Sequence, residues 1–64
     1  MFKFELENIV LIEASSETGK VIGRAQYLNG QNNYLIRYKA ADGRAVELWW
    51  GEDALKLSSI HKLN

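Results

Sequence analysis

The sequence predicts an all-β fold: a small five-stranded barrel with one short helical turn before its last strand. Three observations carry this. Apolar residues either alternate with polar ones or stand in runs of a few residues, and no stretch keeps a 3.6-residue period beyond one turn. Turn dipeptides, Asn29-Gly30 and Asp42-Gly43, separate the candidate strands at short spacing. Gly23 sits inside a strand-like stretch, where a bulge or sharp bend is the usual reason for glycine, and a small barrel needs such bends to close.

The elements follow in chain order. Phe2, Phe4 and Leu6 alternate with Lys3, Glu5 and Glu7, so residues 1–7 read as an N-terminal strand or arm. Ile9-Val10-Leu11-Ile12 is a continuous apolar run, consistent with a buried strand. Residues 14–19 are small and polar and end in Gly19, which reads as a loop. Strands are expected over residues 20–27, 34–39 and 44–50. Glu52-Asp53-Ala54-Leu55, preceded by Gly51, suits a single helical turn, with a last strand around Lys56-Leu57 and a tail over 58–64.

Turn chemistry sets the hairpin registers. A three-residue loop Ala41-Asp42-Gly43, with Gly43 in the left-handed region, pairs Tyr38 with Val46, Arg37 with Glu47, Ile36 with Leu48, Leu35 with Trp49 and Tyr34 with Trp50. A one-residue slip would set Tyr38 against Glu47 and invert every side chain. For Asn29-Gly30, a two-residue turn pairs Ala25 with Tyr34, Arg24 with Leu35 and Ile22 with Arg37. Val21, Ala25, Tyr34, Ile36, Tyr38, Val46, Leu48 and Trp50 then share one face, with Val21, Ile36, Leu48 and Trp50 expected to be buried. Ile22, Arg24, Leu35, Arg37, Glu47 and Trp49 share the other.

Composition bounds the rest. Sixty-four residues make one domain, 1–64, of a size that buries about 60% of its unfolded surface. There is no Cys for a disulfide, and the lone His61 cannot build a zinc site, so no metal or other cofactor is expected. The core must come from packing, which suits a chain that is 47% hydrophobic with seven aromatic residues. The longest aliphatic run, residues 9–12, is far short of the about 20 residues a membrane span needs, so no membrane partner and a cytoplasmic location are expected. Net charge is zero. Lys20, Arg24, Arg37, Lys39 and Arg44 nevertheless face only Asp42 within residues 20–44, a basic island in a neutral chain.

Three blocks of the sequence, residues 19–27 (GKVIGRAQY), 34–38 (YLIRY) and 41–50 (ADGRAVELWW), together resemble small phage and prophage proteins. More broadly, the order strand, loop, Gly-x-Val-x-Gly, strand, hairpin and short turn is similar to SH3-like, Tudor-like and KOW-type barrels. The resemblance covers roughly residues 8–57. It implies an SH3-like barrel with a short turn ahead of the last strand, and it brings no functional residues.

The strongest site candidate is the pair Trp49 and Leu35, joined by Ile22 and framed by Arg24, Arg37 and Glu47. An aromatic beside Arg has the composition of interface hot spots. The competing expectation is that residues 1–7 or 58–64 fold over this face, with Phe2 and Phe4 burying Trp49. Arg37 with Glu47 reads first as a cross-strand ion pair, Tyr27, Tyr34 and Tyr38 as core aromatics with hydroxyls at the rim, Asp42 as turn chemistry, and Glu52 and Asp53 as first-turn residues. Asn29 to Asn33 is a polar loop.

The expected function is therefore a non-catalytic interaction module for a protein or peptide, with a homodimer through the Trp49 face as one arrangement. The alternative is a nucleic-acid-binding barrel that uses the basic island with Trp49 as a stacking platform. No nucleophile–base or metal constellation points to an enzyme.

Overall fold

A computed structural model describes residues 2–58. Within them the chain is all-β: β1 (Ile9–Ile12), β2 (Glu17–Gln26), β3 (Asn32–Lys39), β4 (Ala45–Gly51), a 3-10 turn (Glu52–Ala54) and β5 (Leu55–Leu57). They form one antiparallel sheet in the order β4-β3-β2-β1-β5. No helix among the described residues is long and apolar enough to cross a membrane. The sheet is not closed into the expected barrel. β5 spends its three residues pairing with β1, so β4 and β5 remain the two edges.

Both major hairpins turn on the same device. In the second, Ala40 N–H donates to Arg44 O (2.8 Å) and Gly43 N–H to Ala40 O (2.9 Å), with Gly43 at φ 90°. Asp42 Oδ1 accepts from Arg44 N–H at 3.1 Å. The three-residue loop and every expected β3–β4 pair are present. The first hairpin repeats this geometry. Tyr27 N–H donates to Gln31 O (3.1 Å), Gly30 N–H to Tyr27 O (2.9 Å), Gly30 has φ 86°, and Asn29 Oδ1 accepts from Gln31 N–H at 3.0 Å. The two-residue turn expected at Asn29-Gly30 is thus corrected to a three-residue loop, Leu28-Asn29-Gly30, closed by a side-chain acceptor as at Asp42.

That change moves β2 by one residue. Next to the turn, Arg24 pairs with Tyr34 and Ala25 with Asn33, and Gly23 stands opposite Leu35. A bulge between Val21 and Gly23 restores the parity, so Val21 faces Ile36 and Lys20 faces Arg37. One extra residue, Ile22, absorbs the mismatch. Gly23 leaves room on the outer face: a Cβ there would lie tightly against Leu35 Cβ, at 3.2 Å, and in ordinary contact with Trp49 Cη2, at 3.7 Å. The loop expected over 14–19 is shorter than its composition implied. Ile12 pairs with Glu17, Ser16 N–H closes the turn on Ile12 O (2.7 Å), and Ser16 rather than Gly19 takes the positive φ, 65°.

The core lies on one face: Val10, Ile12, Val21, Tyr34, Ile36 and Leu55, closed by Phe4 from the N-terminal arm. Residues 2–7 form no strand. Their alternation places Phe2 and Phe4 edge-on against Tyr34, with ring centroids 6.0 and 5.2 Å away, and leaves Leu6 exposed. A turn ends the arm, with Asn8 N–H on Glu5 O (3.1 Å) and Glu7 at φ 75°. Two expected core residues are corrected. Leu48 is 48% exposed and Trp50 only half-buried. Both point to the core face, but they lie on an edge strand with no neighbouring strand on its far side among the described residues.

Candidate functional site

The face opposite the core carries the candidate site. Leu35 and Trp49 are directly paired across β3 and β4, and Gly23 of β2 completes the row. Because Gly23 has no side chain, Trp49 lies over the strand rather than being pushed away from it. The ring is still 51% exposed. One row further along, Arg37 Nε donates to Glu47 Oε2 at 2.9 Å, the cross-strand pair the register requires. Both side chains are open to water, so the pair contributes only about a few tenths of a kcal/mol. Lys20 stands opposite Arg37 on the other side. Ile22, the bulged residue, lines a shallow neighbouring depression with Leu6, Glu7, Lys20 and Arg37.

Four of the six expected site residues, Trp49, Leu35, Arg37 and Glu47, therefore stand together, and Ile22 borders them. Arg24 does not. The one-residue register change turns it to the core side, where its guanidinium lies 4.5 Å from the Phe2 ring centroid. Its Nη1 donates to Phe4 O (3.3 Å) and to Glu5 Oε1 (3.4 Å). Arg24 is a clasp on the arm. The arm in turn packs on the core face, so Phe2 and Phe4 do not cover Trp49. The expectation that residues 58–64 cover it lies, apart from buried Ser58, outside the described residues, as does His61.

A polar cluster at the end of the sheet had no counterpart in the sequence reading. The Tyr34 hydroxyl accepts from Lys3 N–H (2.9 Å) and Phe4 N–H (3.3 Å) and donates to Glu52 Oε2. The same Glu52 oxygen accepts from Lys3 N–H (3.0 Å) and Asn32 Nδ2 (3.2 Å). A buried tyrosine needs a partner for its hydroxyl, and Glu52, the first residue after β4, was the available signal. An open hollow of about 520 Å³ lies beside the cluster, lined by Lys3, Gly30, Gln31, Asn32, Glu52 and Asp53. Among the described residues no group of three or more His, Asp or Glu is placed to hold a metal ion.

The cluster ties stability to pH. The hydrogen bond from Tyr34 holds the Glu52 carboxyl below the usual glutamate range, against the opposing pull of its own desolvation. Burial, followed by the bond to Glu52, pushes the Tyr34 hydroxyl above its ordinary value. A depressed carboxylate stabilises the fold above its unfolded pKa and loses that contribution as pH falls through the folded one. A raised phenol stabilises below its unfolded pKa and loses that as pH climbs through the folded one. Urea unfolding at neutral and acidic pH checks the acid side: Glu52→Gln should be less stable than the parent at neutral pH, and the gap should narrow below the ordinary glutamate pKa of about 4.3. A gap that stays constant with pH would show that Glu52 is not ionised in this bond.

No family model, curated protein sequence or solved structure matches the chain.

Proposed function

We propose that the protein is a non-catalytic interaction module, a small SH3-like β domain that takes a protein or peptide partner on its outer face around Trp49. The observation that carries this is the exposed Trp49 ring, seated on Leu35 over Gly23 and rimmed by Arg37 and Glu47. Apolar surface rimmed by charge is the composition of contact sites, and a tryptophan held by its neighbours binds with little further loss of freedom. The strand order, with a 3-10 turn between β4 and a short β5, supports the SH3-like reading.

Electrostatics favours a protein over a nucleic acid. Three of the five cations of the basic island already carry a carboxylate: Arg24 with Glu5, Arg37 with Glu47 and Arg44 with Asp42. Arg24 has also left the Trp49 face. Too little unopposed positive charge is gathered there to follow a phosphate backbone.

Panning a random peptide library on the parent and on Trp49→Ala tests the reading. Peptides should be enriched on the parent alone. The variant should stay folded, with a cooperative thermal transition, because the half-exposed ring lies on an edge strand outside the core. Enrichment of the same peptides on both proteins would overturn the assignment. So would binding of short oligonucleotides that weakens steeply with salt.

A further inference from the structure

We infer that the free edge of β4 takes β4 of a second copy of this chain, antiparallel, with Leu48 on the two-fold axis. This goes beyond the partner-binding reading of the Trp49 face and does not depend on it.

The backbone of β4 sets the register. Arg44 O accepts from Ala40 N–H, so the Ala40–Arg44 pair is a hydrogen-bonded one. Such pairs alternate along an antiparallel ladder. Val46, Leu48 and Trp50 therefore spend their N–H and C=O groups on β3, while those of Ala45, Glu47 and Trp49 point outward to an edge where no strand lies among the described residues. A second β4 continuing the sheet must set outward-bonding residues against outward-bonding residues.

Overlap of the whole strand Ala45–Gly51 then has one solution, centred on its middle residue, Leu48. Glu47 meets the second copy's Trp49, and Ala45 meets Gly51. These are the hydrogen-bonded pairs. Between them Val46 meets Trp50, and Leu48 meets its own copy across a non-hydrogen-bonded pair, where side chains approach most closely.

Side chains agree with that register. On the core side, Leu48 is 48% exposed and Val46 and Trp50 are half-buried, so the pairing joins the open parts of three apolar residues to the same three. On the outer side Glu47, already held by Arg37, comes beside an aromatic ring rather than another carboxylate. The small residues Ala45 and Gly51 meet at the ends. Shifting the centre to Glu47 would oppose two like charges directly, which is unfavourable.

The strand also lacks what usually blocks such pairing. It has no Pro, no Lys and no bulge, and its one charge is neutralised from β3. Zero net charge leaves no long-range repulsion between copies.

The absence of native cysteine makes the register directly testable. Leu48→Cys should oxidise readily to a covalent dimer that keeps the parent β spectrum, whereas Val46→Cys, whose counterpart is Trp50, should not. In the parent, sedimentation should show a dimer that grows with concentration. Amide exchange at Glu47 and Trp49 should slow on the order of tenfold or more as it forms. Leu48→Lys, a change at an exposed position, should stay folded and sediment as a monomer. The inference is overturned if the parent stays monomeric with fast exchange at Glu47 and Trp49. It is equally overturned if a dimer forms but Val46→Cys crosslinks as well as Leu48→Cys, or if that edge is protected only when an added peptide of another sequence binds it.

Discussion

Gly19→Ala should destabilise the fold severely, lowering its melting temperature by far more than an exposed substitution does. In a strand interior this exchange ordinarily stabilises by about 0.5–1 kcal/mol, because alanine has less backbone freedom to lose. Here the sign reverses. Gly19 pairs with Val10 on one side and Tyr38 on the other, and a Cβ would lie 2.6 Å from Ile36 Cγ2, 2.7 Å from Arg37 O and 2.8 Å from Tyr38 Cβ. Two of those three atoms are fixed by the backbone and no rotamer change moves them. The third belongs to Ile36, which is fully buried. Relief requires β2 and β3 to separate at the centre of the sheet.

Overpacking of this kind costs typically 1–3 kcal/mol and more where backbone must shift. A domain of this length has in total only about 3–10 kcal/mol to lose. Thermal unfolding followed by circular dichroism checks the result, with the exposed neighbour substituted as Lys20→Ala for comparison. Lys20→Ala should melt like the parent. A Gly19→Ala protein that melts within a few degrees of the parent would show that the strands have room to part.

Nothing about Gly19 is legible in the sequence, where it stands at the end of a small polar run and reads as a loop residue. The β3–β4 hairpin is the opposite case. Asp42-Gly43 and the alternation on both sides constrain each other, so turn type, register and the Arg37–Glu47 pair all follow. Asn29-Gly30 misleads because the same pair of residue types suits two turns. The flanking residues of β2 tolerate either, with Ile22 free to bulge. Where the pattern is ambiguous by one residue, the face of each later side chain is ambiguous too, and that is why the sequence alone puts Arg24 beside Trp49.

Leu48 and Trp50 show a second limit. Alternation says which face a residue points to. Whether anything covers that face depends on strand order, and β4 is an edge. The central place in the core that alternation assigns to Trp50 therefore belongs to a residue further inside. The candidate site was legible to the extent that it rests on the β3–β4 register: Trp49, Leu35, Arg37 and Glu47 gather where the pairing put them. Glu52 was not, because its partners Tyr34, Asn32 and Lys3 are brought to it by the arm and the sheet rather than by spacing.

Tyr34 is that inner residue. It is fully buried, it carries Phe2 and Phe4 on its ring, and its hydroxyl joins the backbone of the arm to Glu52. Tyr34→Ala should cost on the order of 3–5 kcal/mol through the cavity alone, enough to remove the cooperative urea transition in a domain this small. Tyr34→Phe separates ring from hydroxyl. The ring packing survives, but Phe4 N–H, buried at 3.3 Å from the hydroxyl, loses its acceptor, and Glu52 loses the donor that lowers its pKa. A buried donor left unpaired costs about 1–3 kcal/mol, so this variant should fold with a lower urea midpoint. Its amides at Lys3 and Phe4 should exchange faster, while those of Val21 and Ile36 keep their order in the exchange ranking. If Tyr34→Phe is as stable as the parent, the hydroxyl does not fasten the arm and the phenylalanines hold it alone. If Tyr34→Ala still unfolds cooperatively near the parent midpoint, the centre of the core lies elsewhere.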